Sequence, residues 1–245
     1  MGIIGVISLL ALVYFLILRR SDLLAFYARI QFQKGNFDKA LRLFHIANRI
    51  GKMKPETMRY YGYMLLRSGE LNLAEEVLTR ASVSAKKPPE KKRIKAMLSL
   101  VVWKKGDLDM AIEMMEEAIE DFRVSNFYRN LGLMYVLKGE RQKALKFNLE
   151  AYDYNPDDMV IADNLAEAYV LCGENEKAKA IYEELLEKEP HFPEPYYGYG
   201  LLLIKSGQRE RGIELIRKSL DKTFTFLSVM QRDEVEKILE EQLQK

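Results

Sequence analysis

Few residues in this chain have the type and spacing that metal binding or nucleophilic catalysis requires. His45 and His191 are the two histidines, and neither has a cysteine or a second histidine at a metal-ligand spacing. Cys172 is the single cysteine, so an internal disulfide cannot form. A solvated or packed histidine is the simpler interpretation, and we predict no metal site and no cofactor.

Carboxylate pairs occur at 157–158 and 183–184, where we expect a helix start and a helix surface. Acidic residues are ordinary in both places. The sequence has neither a phosphate-binding GxxxxGK[ST] loop nor a GxSxG nucleophile turn. The Gly-Tyr-Gly triplet at 198–200 falls inside an expected helix, which favours close packing over nucleotide binding. The sequence therefore predicts a protein that is not an enzyme.

A repeat of about 34 residues runs through most of the chain. Its clearest marks are glycines spaced by 34, 37, 33, 34 and 34 residues, at positions 35, 69, 106, 139, 173 and 207. Seven residues before each glycine stands a small residue: Ala28, Gly62, Ser99, Gly132, Ala166 and Gly200. Twelve residues after it stand Ala47, Ala81, Ala118, Ala151, Leu185 and Ser219.

Each repeat is predicted to be a helical hairpin. Glu, Lys, Leu and Ala are abundant, proline is sparse, and alternating β-branched runs are absent, so helices are favoured over strands. The periodic glycine supplies a turn conformation that a Cβ atom would penalise. Small residues then mark the places where two helix axes approach closely.

On these residues the chain resembles the tetratricopeptide-repeat (TPR) family. Pro156 and Pro190 stand where that family closes its second helix, and Tyr135 and Tyr169 stand at its aromatic position. The resemblance covers about residues 21–224 and implies an all-α, right-handed α-solenoid of about six TPR hairpins. The implied repeats are residues 21–54, 55–91, 92–124, 125–158, 159–192 and 193–224.

The C-terminal residues 225–245 are predicted to cap this array. A helix is expected to start near Ser228 and to cover the apolar face that the last repeat would otherwise expose. Its predicted apolar stripe is Val229, Val235, Ile238, Leu239 and Leu243.

The N-terminal residues 2–18 contain no charged side chain, and Arg19 and Arg20 follow directly. A segment of this length spans about 25 Å as a helix, the short end of what crosses a bilayer. We predict a transmembrane anchor at residues 1–20, with Met1 outside and the repeats in the cytoplasm because basic residues stay on that side. A bacterial inner membrane is the expected location, with the mitochondrial outer membrane as the alternative.

How the predicted anchor joins the repeats is open from sequence. Ser21 and Asp22 are residue types that start helices, yet both also occur on helix surfaces. One helix could therefore run over residues 3–34, because no glycine or proline lies between Gly5 and Gly35.

The two halves of the chain have opposite charge. Residues 19–105 carry 20 Lys and Arg against 7 Asp and Glu, a net charge of +13, and residues 106–245 carry 18 against 29, a net charge of −11. The basic half, repeats one to three, could contact anionic lipids beside the predicted anchor. Solvated helix faces are an equally good explanation. Nucleic-acid binding is a weaker explanation than lipid contact or solvated helix faces. The sequence does not distinguish aromatic residues that stack on bases from those that fill the core of the repeats.

The family resemblance implies a concave groove, formed by the first helix of each repeat, that binds a partner protein or peptide. In repeats two and three it would present Arg59, Tyr60, Tyr63, Arg67, Arg93, Met97, Leu100, Trp103 and Lys104. In the later repeats it would present Arg129, Asn130, Leu133, Asp163, Asn164, Glu167 and Tyr197. For any one aromatic residue, core filling is the stronger expectation.

Some members of the family bind the terminal carboxylate of chaperone tails with Lys, Asn and Arg side chains. Arg129 and Asn164 occupy comparable positions here, but Leu133, Glu194 and Gly198 stand where the remaining Asn, Lys and Arg would be expected. We therefore do not expect chaperone-tail binding. Two functions remain: a scaffold that helps to assemble or regulate a membrane-associated complex, and a receptor that captures soluble clients for a translocation machine.

Overall fold

The protein is described by a computed structural model that covers residues 20–120 and 122–244. Within these ranges the regular elements are thirteen α-helices and no strand. The helices are α1 (20–33), α2 (Phe37–Ile50), α3 (Pro55–Ser68), α4 (Leu71–Ser84), α5 (Pro88–Lys104), α6 (Leu108–Ile119), α7 (Ser125–Lys138), α8 (Arg141–Tyr154), α9 (Met159–Cys172), α10 (Asn175–Glu187), α11 (Glu194–Lys205), α12 (Arg209–Ser219) and α13 (Arg232–Leu243).

The chain forms two compact units. The first ends at Val101 and the second begins at Val102, so the boundary falls within α5. The helices up to α12 form six consecutive pairs, and short turns join them. Helix α5 begins at Pro88, within the residues assigned from sequence to the second repeat.

The predicted anchor at residues 1–20 lies outside the described residues except for Arg20. Across residues 20–120 and 122–244, no helix is both long and apolar enough to cross a membrane. The chain is already helical at residue 20. Ser21 follows a helical residue and so is not a helix cap, and its hydroxyl donates a 2.8 Å hydrogen bond to the carbonyl of Lys52.

The six periodic glycines all adopt the left-handed conformation, with φ between +76° and +102°. At Gly139, a Cβ atom would meet nothing within 4 Å, so the requirement for glycine comes from the backbone angle and not from space. The turn at each of these positions is the one that the period predicts.

The small residues before these glycines lie at buried helix crossings. A Cβ atom on Gly62 would lie 2.5 Å from Leu78, and a Cβ atom on Gly200 would lie 2.8 Å from the carbonyl oxygen of Gly212. Leu78 stands nine positions after a periodic glycine. All six residues at that position are buried: Phe44, Leu78, Met115, Asn148, Tyr182 and Ile216.

The first unit holds His45 by packing and hydrogen bonding. Tyr61 is fully buried, stacks on Phe44 with ring centroids 5.5 Å apart, and shares a 2.8 Å hydrogen bond between its hydroxyl and Nδ1 of His45. Burial raises the pKa of Tyr61 to about 12. The tyrosine is therefore neutral at physiological pH.

The C-terminal helix closes the second unit. Val235 and Leu239 of α13 pack against Ile213 and Ile216 of α12. The helix starts at Arg232 and not near Ser228, because Gln231 and Glu234 form a reciprocal capping box.

The residues before α13 form a connector, residues 224–231, instead of a first helical turn. The predicted apolar stripe is correspondingly shorter: Val229 is 38% exposed and Leu243 is 56% exposed.

Candidate partner-binding groove

In the second unit the first helices of three consecutive hairpins, α7, α9 and α11, line a cavity of about 250 Å³. Its walls are mainly aliphatic. They comprise Leu133, Val136 and Leu137 of α7, Val170 of α9, Leu201 and Leu202 of α11, and Val229 and Met230 of the connector. An apolar concave site with a few polar groups is the usual form of a binding site.

Three carboxylates line the same cavity. Asp163 and Glu167 lie one turn apart on α9, and Glu194 begins α11. Burial raises the pKa of Asp163 well above its ordinary value, and the charges of Glu167 and Glu194 raise it further. Burial also raises the pKa of Glu167 and of Glu194. The cavity lining therefore contains three poorly solvated carboxyl groups.

Hydrogen bonds hold the connector to two helices, α5 and α11. Lys104, at the end of α5, donates a 2.9 Å hydrogen bond to the carbonyl of Ser228, and its ammonium lies over the rings of Trp103 and Phe226. The backbone N–H of Val229 donates to Glu194 at 3.3 Å. Burial lowers the pKa of Lys104. Lys104 thus positions the connector that forms one wall of the cavity.

Arg129 and Asn164, the two residues that match the carboxylate-binding pattern, are both used within the fold. The guanidinium of Arg129 binds both carboxylate oxygens of Asp158 at 2.6 to 2.8 Å. The amide of Asn164 donates to the backbone carbonyl of Arg129 at 2.8 Å. Both interactions join α7 to α9, so both groups contribute to the packing of these two helices.

The predicted groove residues of repeat two lie in the first unit. The guanidinium groups of Arg29 and Arg59 both lie over the ring of Tyr60, at 4.1 and 4.6 Å from its centroid. Arg67 lies over Tyr63 at 5.9 Å. These rings are partly exposed and are paired with arginines of the same unit.

A second depression in the first unit is lined by four basic side chains and two acidic ones. The basic residues are Arg59, Lys86, Lys87 and Arg93, and the acidic ones are Glu56 and Glu90. Met97 and Leu100 follow on the same helix as Arg93, and Leu100 is only 4% exposed, so it offers little surface to a partner.

The structure brings Leu133, Asp163, Asn164, Glu167 and Tyr197 together around the cavity. Asn130 is partly exposed on α7 but is not among the lining residues.

Several lining residues of the groove are not predicted from the sequence. Three of them, Val136, Val170 and Leu201, lie three or four residues after a predicted groove residue and therefore on the same helix face. Helical periodicity could have identified these three residues. Met230 lies in the connector, and nothing in the sequence indicates that this segment folds back.

Metal binding has no candidate in the described ranges, where no group of three or more His, Cys, Asp or Glu side chains could hold an ion.

Sequence comparisons support the family resemblance. Residues 97–158 and 162–196 match profiles described as tetratricopeptide repeat. A TPR repeat-containing protein of Methanocaldococcus jannaschii is 23% identical over 164 residues, which are 66% of this chain and 28% of that protein. The chain thus matches less than a third of that relative's length. Together these matches support a place for the chain in the tetratricopeptide-repeat family.

Solved structures show the same fold. A tetratricopeptide repeat protein from Parabacteroides merdae has a TM-score of 0.54 at 14% identity, covering 91% of this chain and 98% of its own. A thermophilic TPR protein of Thermus thermophilus has a TM-score of 0.58 at 24% identity, covering 75% and 99%. The pilF protein of Pseudomonas aeruginosa has a TM-score of 0.61 at 16% identity, covering 81% and 89%. At these identities the likeness defines the fold alone, an all-α solenoid of TPR hairpins.

Proposed function

We propose that this chain is a membrane-tethered scaffold that binds a partner protein or peptide in the TPR groove and helps to assemble or regulate a membrane-associated complex. The observation that carries the binding function is the aliphatic cavity between α7, α9 and α11. Leu201, one of its wall residues, is 36% exposed, so an apolar surface is available there to a partner.

The groove can be tested by site-specific photocrosslinking in native membranes. A photoreactive phenylalanine analogue replaces Leu201 in one variant and Leu149 of α8 in another. Leu149 is a matched control because it is 38% exposed and lies outside the cavity lining. Discrete adducts from position 201 and few from position 149 are expected. Equal labelling from the two positions would show that the groove is not the binding surface.

The identity of the adducts separates the two functions. Membrane proteins recovered in constant proportion are expected for a scaffold. A varied set of soluble precursors would instead identify a receptor for translocation clients, and the scaffold proposal would then be abandoned.

Membrane tethering rests on the uncharged residues 2–18 and on the arginine pair that follows them. The single Cys172 provides a native probe of the predicted topology, because it is partly exposed. A membrane-impermeant maleimide is expected to label it only after the cells are permeabilised. Labelling at the same rate in intact cells would place the repeats outside and contradict the topology.

A further inference from the structure

The groove of the second unit contains more acidic groups than its surroundings balance. Asp163, Glu167 and Glu194 line the cavity, and Lys205 is the one basic residue among its lining residues. Lys205 is exposed at the end of α11. Lys104 acts electrostatically on Glu194, but it is not among the residues that line the cavity.

Asp163 is the residue whose surroundings indicate that the cavity binds a ligand. It lines the cavity, is only 5% exposed, and its Oδ1 atom has no hydrogen-bond partner among the described residues. A buried carboxylate oxygen without a donor is unfavourable, and a carboxylate in such a place is usually paired with a cation. The free protein supplies no cation for it within the cavity lining, since Lys205 lies at the exposed end.

Glu167 has a position that depends on the absence of a side chain at residue 198. A Cβ atom on Gly198 would lie 2.2 Å from Oε1 of Glu167. Tyr182 donates to the same oxygen at 2.5 Å from the core side. The carboxylate is thereby held beside the backbone of α11, one helical turn from Asp163.

The walls suit the stem of a long basic side chain. Val170, Leu201 and the ring of Tyr197 line the same cavity as the carboxylates. Lysine and arginine carry an aliphatic stem that packs on apolar surface and a charged head that seeks an anion.

We propose that this cavity is a specificity pocket for a lysine or arginine side chain of the bound partner, with its cationic head received by Asp163 and Glu167 and its stem held by the aliphatic walls. The inference rests on the proposed groove function and adds the chemistry of the partner. A basic peptide segment is accordingly the ligand that the second unit selects.

The test uses a random dodecapeptide library displayed on phage, with the full chain of 245 residues as bait. Three proteins are compared: the wild type, Asp163→Asn/Glu167→Gln, and Glu210→Gln/Glu214→Gln. The last is a matched control, because it removes the same two charges at the same spacing from the exposed face of α12. Circular dichroism melting of each variant establishes that it is folded.

Wild type and control are expected to select peptides with Lys or Arg at one fixed position, and the groove variant to lose that selection. Replacing that residue by norleucine should weaken binding to the wild type by about tenfold or more in fluorescence anisotropy, and should change binding to the groove variant far less.

Two results would overturn the inference in distinguishable ways. Peptides that bind the wild type without a fixed basic residue, or a basic preference that survives in the groove variant, would refute the cation pocket and leave the groove function standing. Failure of the wild type to select any peptide would refute the groove function itself.

Discussion

The phenol of Tyr182 donates a 2.5 Å hydrogen bond to Oε1 of Glu167 and thereby joins α10 to α9 beneath the groove. Tyr182 is fully buried. Burial raises the pKa of Glu167, and this hydrogen bond opposes part of that rise. Burial also raises the pKa of Tyr182 well above its ordinary value, so the phenol remains a donor at neutral pH. The repeat core therefore supports one of the groove carboxylates directly.

Tyr182→Phe is expected to destabilise the fold by about 1–3 kcal/mol, because it leaves a poorly solvated carboxylate without its donor. The ring itself can stay in place, since it stacks on Tyr199 with centroids 5.4 Å apart. Urea denaturation followed by circular dichroism measures the change in the free energy of unfolding.

Tyr199→Phe is the matched control for that substitution. Its phenol donates a 2.8 Å hydrogen bond to Glu183, whose side chain is 44% exposed. Water can replace this donor, so a loss of about 0.5 kcal/mol is expected. Equal losses for the two variants would mean that the buried carboxylate does not depend on Tyr182.

Two glycines of α11 are expected to respond differently to alanine. At Gly198 the new Cβ would meet two side-chain ends, Oε1 of Glu167 and, at 2.6 Å, the hydroxyl of the buried Tyr182, whereas at Gly200 it would meet the backbone oxygen of Gly212 at 2.8 Å. Side chains can shift more easily than a helix backbone, so Gly200→Ala should cost about 3 kcal/mol and Gly198→Ala about 2 kcal/mol, even though alanine favours a helix.

The same pair tests the geometry of the groove. Gly198→Ala should also weaken binding of a lysine-containing peptide, because Glu167 must leave its position. Thermal unfolding and anisotropy on the same samples separate the two effects. If Gly198→Ala were the more destabilising variant, the backbone contact at Gly200 would not be harder to relieve than the side-chain contacts at Gly198.

Asp163→Asn is expected to stabilise the fold at neutral pH by about 1–3 kcal/mol, because it replaces a buried carboxylate, whose Oδ1 atom has no hydrogen-bond partner among the described residues, with a neutral group. The raised pKa of Asp163 makes the effect depend on pH. With a raised pKa in the fold, the wild-type contribution is full below the unfolded pKa of about 4 and is lost as pH rises through the folded pKa.

Melting temperatures of the wild type and Asp163→Asn should therefore agree at about pH 4 and diverge as pH rises toward neutrality, with the variant the more stable. Glu210→Gln, which removes one exposed carboxylate from α12, serves as the control. A variant that melts lower than the wild type at neutral pH would mean that the Asp163 carboxylate is stabilised by a partner in solution.

The sequence predicts the helical repeats well because their requirements are local. A single glycine with positive φ fixes each turn, as at Gly139, and a single small residue permits each crossing, as at Gly62. Both signals repeat with the period, so each copy supports the others. The predicted start of α13 is too early because its cap is a Gln231 and Glu234 pair, which is not a common sequence signal.

The groove is harder to predict because its decisive contacts are distant in sequence. Lys104 and Ser228 are 124 residues apart, and no local pattern relates them. Arg129 looks like a ligand-binding residue until its partner, Asp158, is known. Asp163 lines a cavity together with residues of α7, α11 and the connector, so the surroundings of its Oδ1 atom are known only from the three-dimensional structure.

At the junction between α7 and α9, Asp158 performs two tasks. Its Oδ1 atom accepts from the backbone N–H groups of Val160 and Ile161 and so caps α9, while both of its oxygens bind the guanidinium of Arg129. The Asp158 side chain is 1% exposed, whereas that of Arg129 is 39% exposed. Water can therefore solvate the arginine but not the carboxylate.

Asp158→Asn should retain the cap, because asparagine is as good a cap as aspartate, and should lose about 1–2 kcal/mol from the charged hydrogen bonds. Asp158→Ala loses both functions and should cost about 2–4 kcal/mol. The neighbouring Asp157 is exposed, so Asp157→Ala should change stability by less than about 0.5 kcal/mol. Urea denaturation of the three variants in parallel gives the ranking. An Asp158→Asn variant as stable as the wild type would assign the whole effect to the helix cap, and Arg129 would then be free for substitution without loss of stability.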